Sequence, residues 1–292
     1  MICRELIGGL SVKNGIYSGI SNEDYHGGVG ISKSGLDLVN RSPLHYWSAY
    51  LDPDREPRQP TPAMKLGTAI HTAVLEPDTY KDRYVVLPDG IDRRTKDGKD
   101  FYAKLELEAL TKGAEIITAG DHAKVMKVYA SCKNHPLTRK VFETGEAEVS
   151  AYWTDEETGV LCKCRPDWLL GGENPAILDL KSTINASPEP FMKSAYNFRY
   201  HVAAAWYLDG VEQAMGVKPD VFMFLAVEKD APFAAAYYYA DEDMLAAGRA
   251  EYRRALRTYA DCLSSDKWPG YEQKLLPLNM PRWAQIEMSE GE

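Results

Sequence analysis

Arg165-Pro166-Asp167 and the run Ile177-Leu178-Asp179-Leu180-Lys181, with Asp179 twelve residues after Asp167, carry most of the information in this 292-residue chain. The run reads as a short apolar strand bearing two charges. Side chains alternate faces along a strand, so Ile177, Asp179 and Lys181 share one face, and Ala176, Leu178 and Leu180 point the other way into a core. A carboxylate and an ammonium on a half-buried strand are costly to desolvate unless each has a partner. A divalent metal beside a phosphate supplies both. Asp167, from the preceding strand or turn, adds a second carboxylate. Two acids and a lysine are the minimum set for metal-assisted phosphodiester hydrolysis. The same residues read equally as a surface hairpin with an ordinary Asp–Lys pair, so the rest of the chain has to decide.

Composition narrows the choice. With 45% hydrophobic residues, 18 Tyr and 6 Trp, the chain has ample material for a core and is not a disordered one. Its length suits one large domain or two small ones. No run of about 18 apolar residues occurs, so no membrane span is expected. Met1-Ile2-Cys3-Arg4-Glu5 lacks the apolar core of a secretory signal. The five cysteines (Cys3, Cys132, Cys162, Cys164, Cys262) are odd in number and have no framework spacing, which points to reduced thiols and a cytosolic setting. Cys162 and Cys164 alternate on a strand and look structural. A zinc or iron–sulfur site would show closer CxxC-type pairs. The net charge of −9 argues against a protein that simply coats nucleic acid. It is compatible with an enzyme that grips DNA in one local groove.

Residues 1–15 are weakly patterned and are expected to form a loose arm, with a single domain over 16–292. Ser32 or Ser34 is placed to cap a helix through Leu36, Leu38 and Val39, which Ser42-Pro43 breaks before Leu44-His45-Tyr46-Trp47 starts another. Ala63–Leu75 is a helix with Leu66, Ile70 and Val74 on one stripe, ended by Pro77. Residues 88–100 read as a mobile loop and 101–143 as mostly helical. Strands are expected over 148–153, 160–165, 176–181, 221–227 and 234–239, with helices over 200–215 and 241–263. Leu278, Pro281 and Trp283 are expected to pack on the body. Helices, then a sheet, then more helix and sheet make a single mixed α/β domain, a central mixed β-sheet flanked by helices.

Several residues converge on one chemistry. Asp167 and Asp179 offer oxygen to a hard divalent cation such as Mg²⁺ or Mn²⁺, and the Leu180 carbonyl is placed to add a ligand. Lys181 is suited to orient or deprotonate water and to stabilise developing phosphorane charge. Glu148, at the start of a preceding strand, is placed to hold a second metal or the water. His71 is a fifth candidate, although a lone helical histidine is more often packed or exposed than a ligand. Gly67, one turn earlier, permits close backbone approach.

Asp167…Asp179-Leu180-Lys181 resembles the PD-(D/E)XK nuclease core, a restriction-endonuclease-like fold. The surroundings are more specific. Leu66-Gly67-Thr68-Ala69-Ile70-His71-Thr72-Ala73-Val74-Leu75-Glu76-Pro77 resembles the histidine helix of the RecE (exonuclease VIII) nuclease family, a lambda-exonuclease-like branch. Ala147-Glu148 with Tyr152-Trp153, the run from Glu156 to Asp167, Asp179-Leu180-Lys181-Ser182, Gly30-Ile31-Ser32-Lys33-Ser34, Ser42-Pro43…His45-Tyr46-Trp47 and Trp268-Pro269-Gly270-Tyr271 are similar to it too. The resemblance spans about residues 16 to 285. It implies a Mg²⁺-dependent exodeoxyribonuclease, with Mn²⁺ able to substitute, that degrades one strand of linear double-stranded DNA 5′ to 3′ and leaves 3′ overhangs for single-strand-annealing recombination. His71, Asp167 and Asp179 would bind the metal together with Leu180, Lys181 would be catalytic and Glu148 would assist. It also implies a ring-shaped homo-oligomer (trimer or tetramer), a RecT-like annealing partner and a cytoplasmic setting in a bacterial host, encoded by phage or prophage.

One departure stands out. The family carries Gln four residues before the Tyr of the helix after the core, and here Ala203 precedes Tyr207. Glutamine donates and accepts hydrogen bonds, and alanine does neither. The alternatives are replacement by His201 or water, a weakened or inactive DNA-end-binding protein on the same fold, or a deliberate substitution of this residue. For DNA contacts, Ser32, Lys33 and Ser34 at a helix N-terminus make an anion site, with Arg165 and Tyr207 as further candidates. Ser32 serves equally as a plain cap. Arg93, Arg94, Lys96 and Lys99 are placed to track the backbone, or form a solvated loop.

Overall fold

The computed structural model describes residues 6–7, 10–56, 59–172 and 174–280. Pro281, Trp283 and residues 1–5 and 8–9 of the expected arm lie outside the described residues. Eight strands frame the site: β1 (Gly15–Tyr17), β2 (Glu146–Ala147), β3 (Ser150–Thr154), β4 (Leu161–Cys164), β5 (Trp168–Leu170), β6 (Ala176–Thr183), β7 (Val221–Glu228) and β8 (Ala235–Tyr239). They form a five-stranded sheet in the order β8-β7-β6-β5-β2 and a three-stranded sheet β1-β3-β4. Leu6–Ile7 and Leu10–Ser11 form a separate antiparallel pair.

The strand with two charges is thus the middle of the large sheet. It runs parallel to β7, with Asp179 opposite Phe224 and Lys181 opposite Ala226, and antiparallel to β5, with Leu178 opposite Trp168. A parallel pair needs a crossover. Helices α4 (Pro188–Asn197) and α5 (Tyr200–Met215) supply it. The other framing helices are α1 (Lys33–Arg41), α2 (Pro62–Leu75), α3 (Ala119–Asn134) and α6 (Glu242–Ser265).

The alternation along β6 sorts its side chains between two cores. Ile177 joins Val202, Trp206, Phe222, Phe224 and Leu256 on the α5–α6 side. Leu178 and Leu180 join Ile70, Val74, Val125 and Val128 on the α2–α3 side. The strand was expected to be half-buried. Helices cover both its faces, as they do for parallel strands generally, so Asp179 is buried as deeply as its apolar neighbours. The two large helices α5 and α6 cross closely at Gly248, where a Cβ would lie 2.0 Å from the His201 carbonyl oxygen.

Other expectations shift at their edges. The strand expected from Glu148 begins at Ser150, because Glu148 forms a corner between two sheets. Helix Lys96–Lys112 starts inside the expected mobile loop, capped by the Thr95 hydroxyl. It stops at Gly113, whose φ of 64° is a left-handed helix end. The β-branched run that follows forms strand Glu115–Thr118, parallel to Tyr84–Leu87, inside the stretch expected to be helical. Helix α4 was not anticipated, although Ser187 followed by Pro188 is an ordinary helix start.

Candidate active site

Helix α2 brings His71 in. Thr61 caps it by accepting from the Met64 N–H, Pro62 fits its first turn, and Ile70, Ala73 and Val74 fasten it to the sheet. His71 Nδ1 comes to 3.6 Å from Asp167 Oδ2. Asp167 sits in the turn entering β5, where its Oδ2 accepts the Leu180 N–H at 2.6 Å. The middle strand therefore fixes the carboxylate through its own main chain.

Glu148 arrives from the corner between β2 and β3. Its N–H donates to the Asp167 carbonyl at 3.1 Å, and its φ of 52° is one that a residue with a Cβ rarely holds without support. Gly145, at φ 117°, leads into that corner, where a Cβ would stand 2.5 Å from the Leu169 carbonyl oxygen. One donor atom from each of His71, Glu148 and Asp167 lies within 4.8 Å of the others.

The electrostatics of the three suit a bound cation. Burial pushes the Glu148 carboxyl up to about 8, and the negative charge of Asp167 adds to the rise. Burial also lowers the His71 pKa, with Asp167 opposing, so the imidazole is neutral and its nitrogen is available as a ligand. Two acids that repel each other beside a neutral imidazole form a donor set that fits a hard divalent ion.

Asp179 and Lys181 project from the other face of β6, with Nζ 2.5 Å from Asp179 Oδ2. Burial raises the Asp179 pKa against the pull of Lys181. Burial alone would lower Lys181, but Asp179 and Asp167 outweigh it and hold the amine above the usual lysine range. The ammonium stands 5.1 Å over the Tyr200 ring.

The structure thus brings together His71 and Asp167 from the expected metal set, while Leu180, expected to offer its carbonyl, meets Asp167 through its N–H. The third side-chain donor beside them is Glu148, expected only to assist. Asp179 is not in this cluster, because its place two residues before Lys181 on one strand face hands it that ammonium as a partner. The charge of Asp167 still reaches it.

The DNA-binding candidates fare differently. Arg165 is buried and points inward, contrary to expectation. Its Nε and Nη2 donate to Ser150 Oγ at 2.9 and 2.7 Å, Nη1 to Asn22 and Nη2 to the Ile20 carbonyl, all beneath the Tyr25 ring. It braces the three-stranded sheet. Lys33 pairs with Asp37 at 2.7 Å and donates to the Phe198 carbonyl at 3.1 Å, while its charge reaches Lys181. Ser32 takes the cap position without a side-chain cap bond, and Ser34 is exposed. Tyr207 lies within reach of the Asp179 charge, its hydroxyl pKa raised by burial. In the polar loop, Arg94 pairs with Asp92.

His201 does not stand in for the absent glutamine. It hydrogen-bonds Glu251 on α6 at 3.2 Å, and a helix turns it away from the face shared by Ala203 and Tyr207. Tyr200 was missed in the sequence. Its signal is its neighbour Arg199, a left-handed residue at the helix start that only the folded chain reveals.

The profile of a family described as a PDDEXK-like domain of unknown function (DUF3799) matches residues 32–275. No curated protein matches the sequence. Among solved structures, a candidate exonuclease from Eubacterium rectale is similar at 14% identity, over 94% of this chain and 100% of that one, with a TM-score of 0.60. This likeness is one of fold. An alkaline exonuclease from Laribacter hongkongensis is similar at 14% identity over 60% of this chain and 88% of that one, but at a TM-score of 0.25, which carries no argument. Among the described residues no helix is long and apolar enough to cross a membrane.

Proposed function

This chain belongs to the PDDEXK-like domain family, and from that premise we propose that it is a Mg²⁺-dependent exodeoxyribonuclease. It degrades one strand of linear duplex DNA from 5′ to 3′ and leaves 3′ overhangs for annealing-based recombination. The observation that carries the proposal is the gathering of His71, Glu148 and Asp167 donor atoms within 4.8 Å, beside the pair of buried Asp179 and half-buried Lys181. A ring-shaped oligomer, a RecT-like annealing partner and a phage or prophage origin in a bacterial cytoplasm belong to the same proposal and rest on the resemblance to the RecE family.

His71, Glu148 and Asp167 would hold the divalent ion, with Asp179 as a further carboxylate once Lys181 turns toward substrate. The ion would supply Lewis-acid polarisation of a phosphodiester oxygen. Lys181 is an ammonium at neutral pH, because its pKa is raised. Its role is therefore to orient water and stabilise charge on the phosphoryl oxygens, not to take a proton in its resting state. Leu180 fixes Asp167 through its N–H, so a shift of β6 would misplace two acids at once.

Linear duplex labelled at its 5′ or 3′ ends, incubated with Mg²⁺, tests this. Prompt release of the 5′ label and retention of the 3′ label is expected. Prompt release of the 3′ label would overturn the direction. A second possibility, a DNA-end-binding protein of little activity, is favoured by Ala203. It predicts retarded DNA in a gel without nucleotide release in any divalent ion.

A further inference from the structure

Tyr200 lies under the Lys181 ammonium and stacks between Phe224 (5.9 Å, 28°) and Phe198 (5.8 Å, 24°). Phe224 is core, whereas Phe198 is 63% exposed. The ladder of rings therefore runs from the sheet, past the candidate site, into solvent. Its outer end is held rigid. Arg199 is left-handed (φ 56°, ψ 43°), and its Nε and Nη1 bind Asp37 at 2.8 Å and Glu251 at 2.6 Å. Lys33 grips the Phe198 carbonyl and the same Asp37. A strained residue clamped by two carboxylates beside a charged site marks a conformation kept for a purpose. Here it presents an aromatic face. Met192 and Tyr196, one turn apart on α4, are also exposed, but the Tyr196 ring stacks on His201 (5.9 Å, 11°) and is not part of this ladder.

A flat ring next to Lys33 and Lys181 fits one ligand chemistry, the unpaired base of a nucleotide strand whose phosphates the two cations attract. We propose that Phe198 stacks on a base of the substrate strand next to the phosphodiester at the candidate site. This rests on the nucleic-acid reading above and adds to it a contact that selects unpaired bases.

The test is binding without turnover. A fluorescent hairpin duplex with a short 5′ overhang is titrated with protein in EDTA, with natural bases or abasic sites in the overhang, and DNA digestion is measured separately in Mg²⁺. About tenfold tighter binding of the base-bearing overhang is expected, lost in Phe198→Ala and kept in Phe198→Trp. Unchanged thermal unfolding of the Ala variant shows that it is folded. Equal affinity for the two overhangs, or contrast that survives in Phe198→Ala, overturns the proposal. So does a change of mass in Phe198→Ala by light scattering with no change in contrast, which would assign the face to a second copy. Base contrast without digestion in Mg²⁺ supports the stacking contact and removes the nuclease reading. Digestion without contrast does the reverse.

Discussion

Replacing Glu148 with Gln should stabilise the metal-free protein, and the gain should grow with pH. A free glutamate ionises near 4.3, whereas burial and Asp167 push Glu148 up to about 8. A carboxyl whose pKa is raised on folding contributes its full share of stability below the unfolded value, and loses it as pH rises through the folded value. The window is therefore from about pH 4.3 to about 8. At 1.36 kcal/mol per unit, the ceiling is about 5 kcal/mol at the alkaline end. Glutamine is neutral throughout and similar in shape, so the variant avoids that loss. About half of the ceiling would raise the melting temperature by roughly 5 °C in a chain of this size. The assay is thermal unfolding in EDTA at pH 5 and pH 8.5, repeated with Mg²⁺ or Mn²⁺. The wild type should gain about 3 kcal/mol from ion at a hundred times its dissociation constant, and Glu148→Gln should lose most of that gain. A variant less stable than wild type at pH 8.5, or one that keeps the full metal response, would refute the view of Glu148 as a metal ligand.

Arg165→Met should leave Ser150, Asn22 and the Ile20 carbonyl without their donor. A loss of about 2–4 kcal/mol is expected in urea unfolding, with DNA affinity per folded molecule unchanged. A specific loss of affinity at constant stability would restore Arg165 as a DNA contact. Trp206→Ala removes a fully buried indole that packs on Trp153 and Tyr252 and donates to the Lys163 carbonyl. It should cost about 3–5 kcal/mol, and a loss under 1 kcal/mol would mean that the α5 core is looser than described.

Much of the fold was legible because it rests on local chemistry. The alternation along Ile177–Lys181 foretold which side chains of β6 enter which core, and the cap and stripe of Ala63–Leu75 foretold α2. Asp167, His71 and the Leu180 main chain could be placed together because short motifs mark them. Glu148 could not be given its position, because that depends on a left-handed corner and on which sheet each flanking strand joins. Arg165 looked like a DNA contact because it is a basic residue two positions from the candidate acid Asp167. Its true partners lie more than a hundred residues earlier in the chain, except for Ser150. Asp179 was read as a metal carboxylate, and the structure sets the Lys181 ammonium against it, two residues along the same strand. The rigidity of Phe198 is legible only in three dimensions, since Asp37 and Glu251 close on Arg199 from different helices.

The central claim is that the Asp179–Lys181 pair beside the His71, Glu148 and Asp167 cluster performs phosphodiester hydrolysis. Initial rates of nucleotide release from linear duplex DNA in Mg²⁺, for wild type and Lys181→Ala at equal folded concentration, test it most directly. The account predicts release by the wild type that EDTA abolishes, and at least a hundredfold slower release by the variant, about the loss of one strong electrostatic contact in a transition state. Equal rates for the two proteins, or no release by the wild type in any divalent ion, would contradict it.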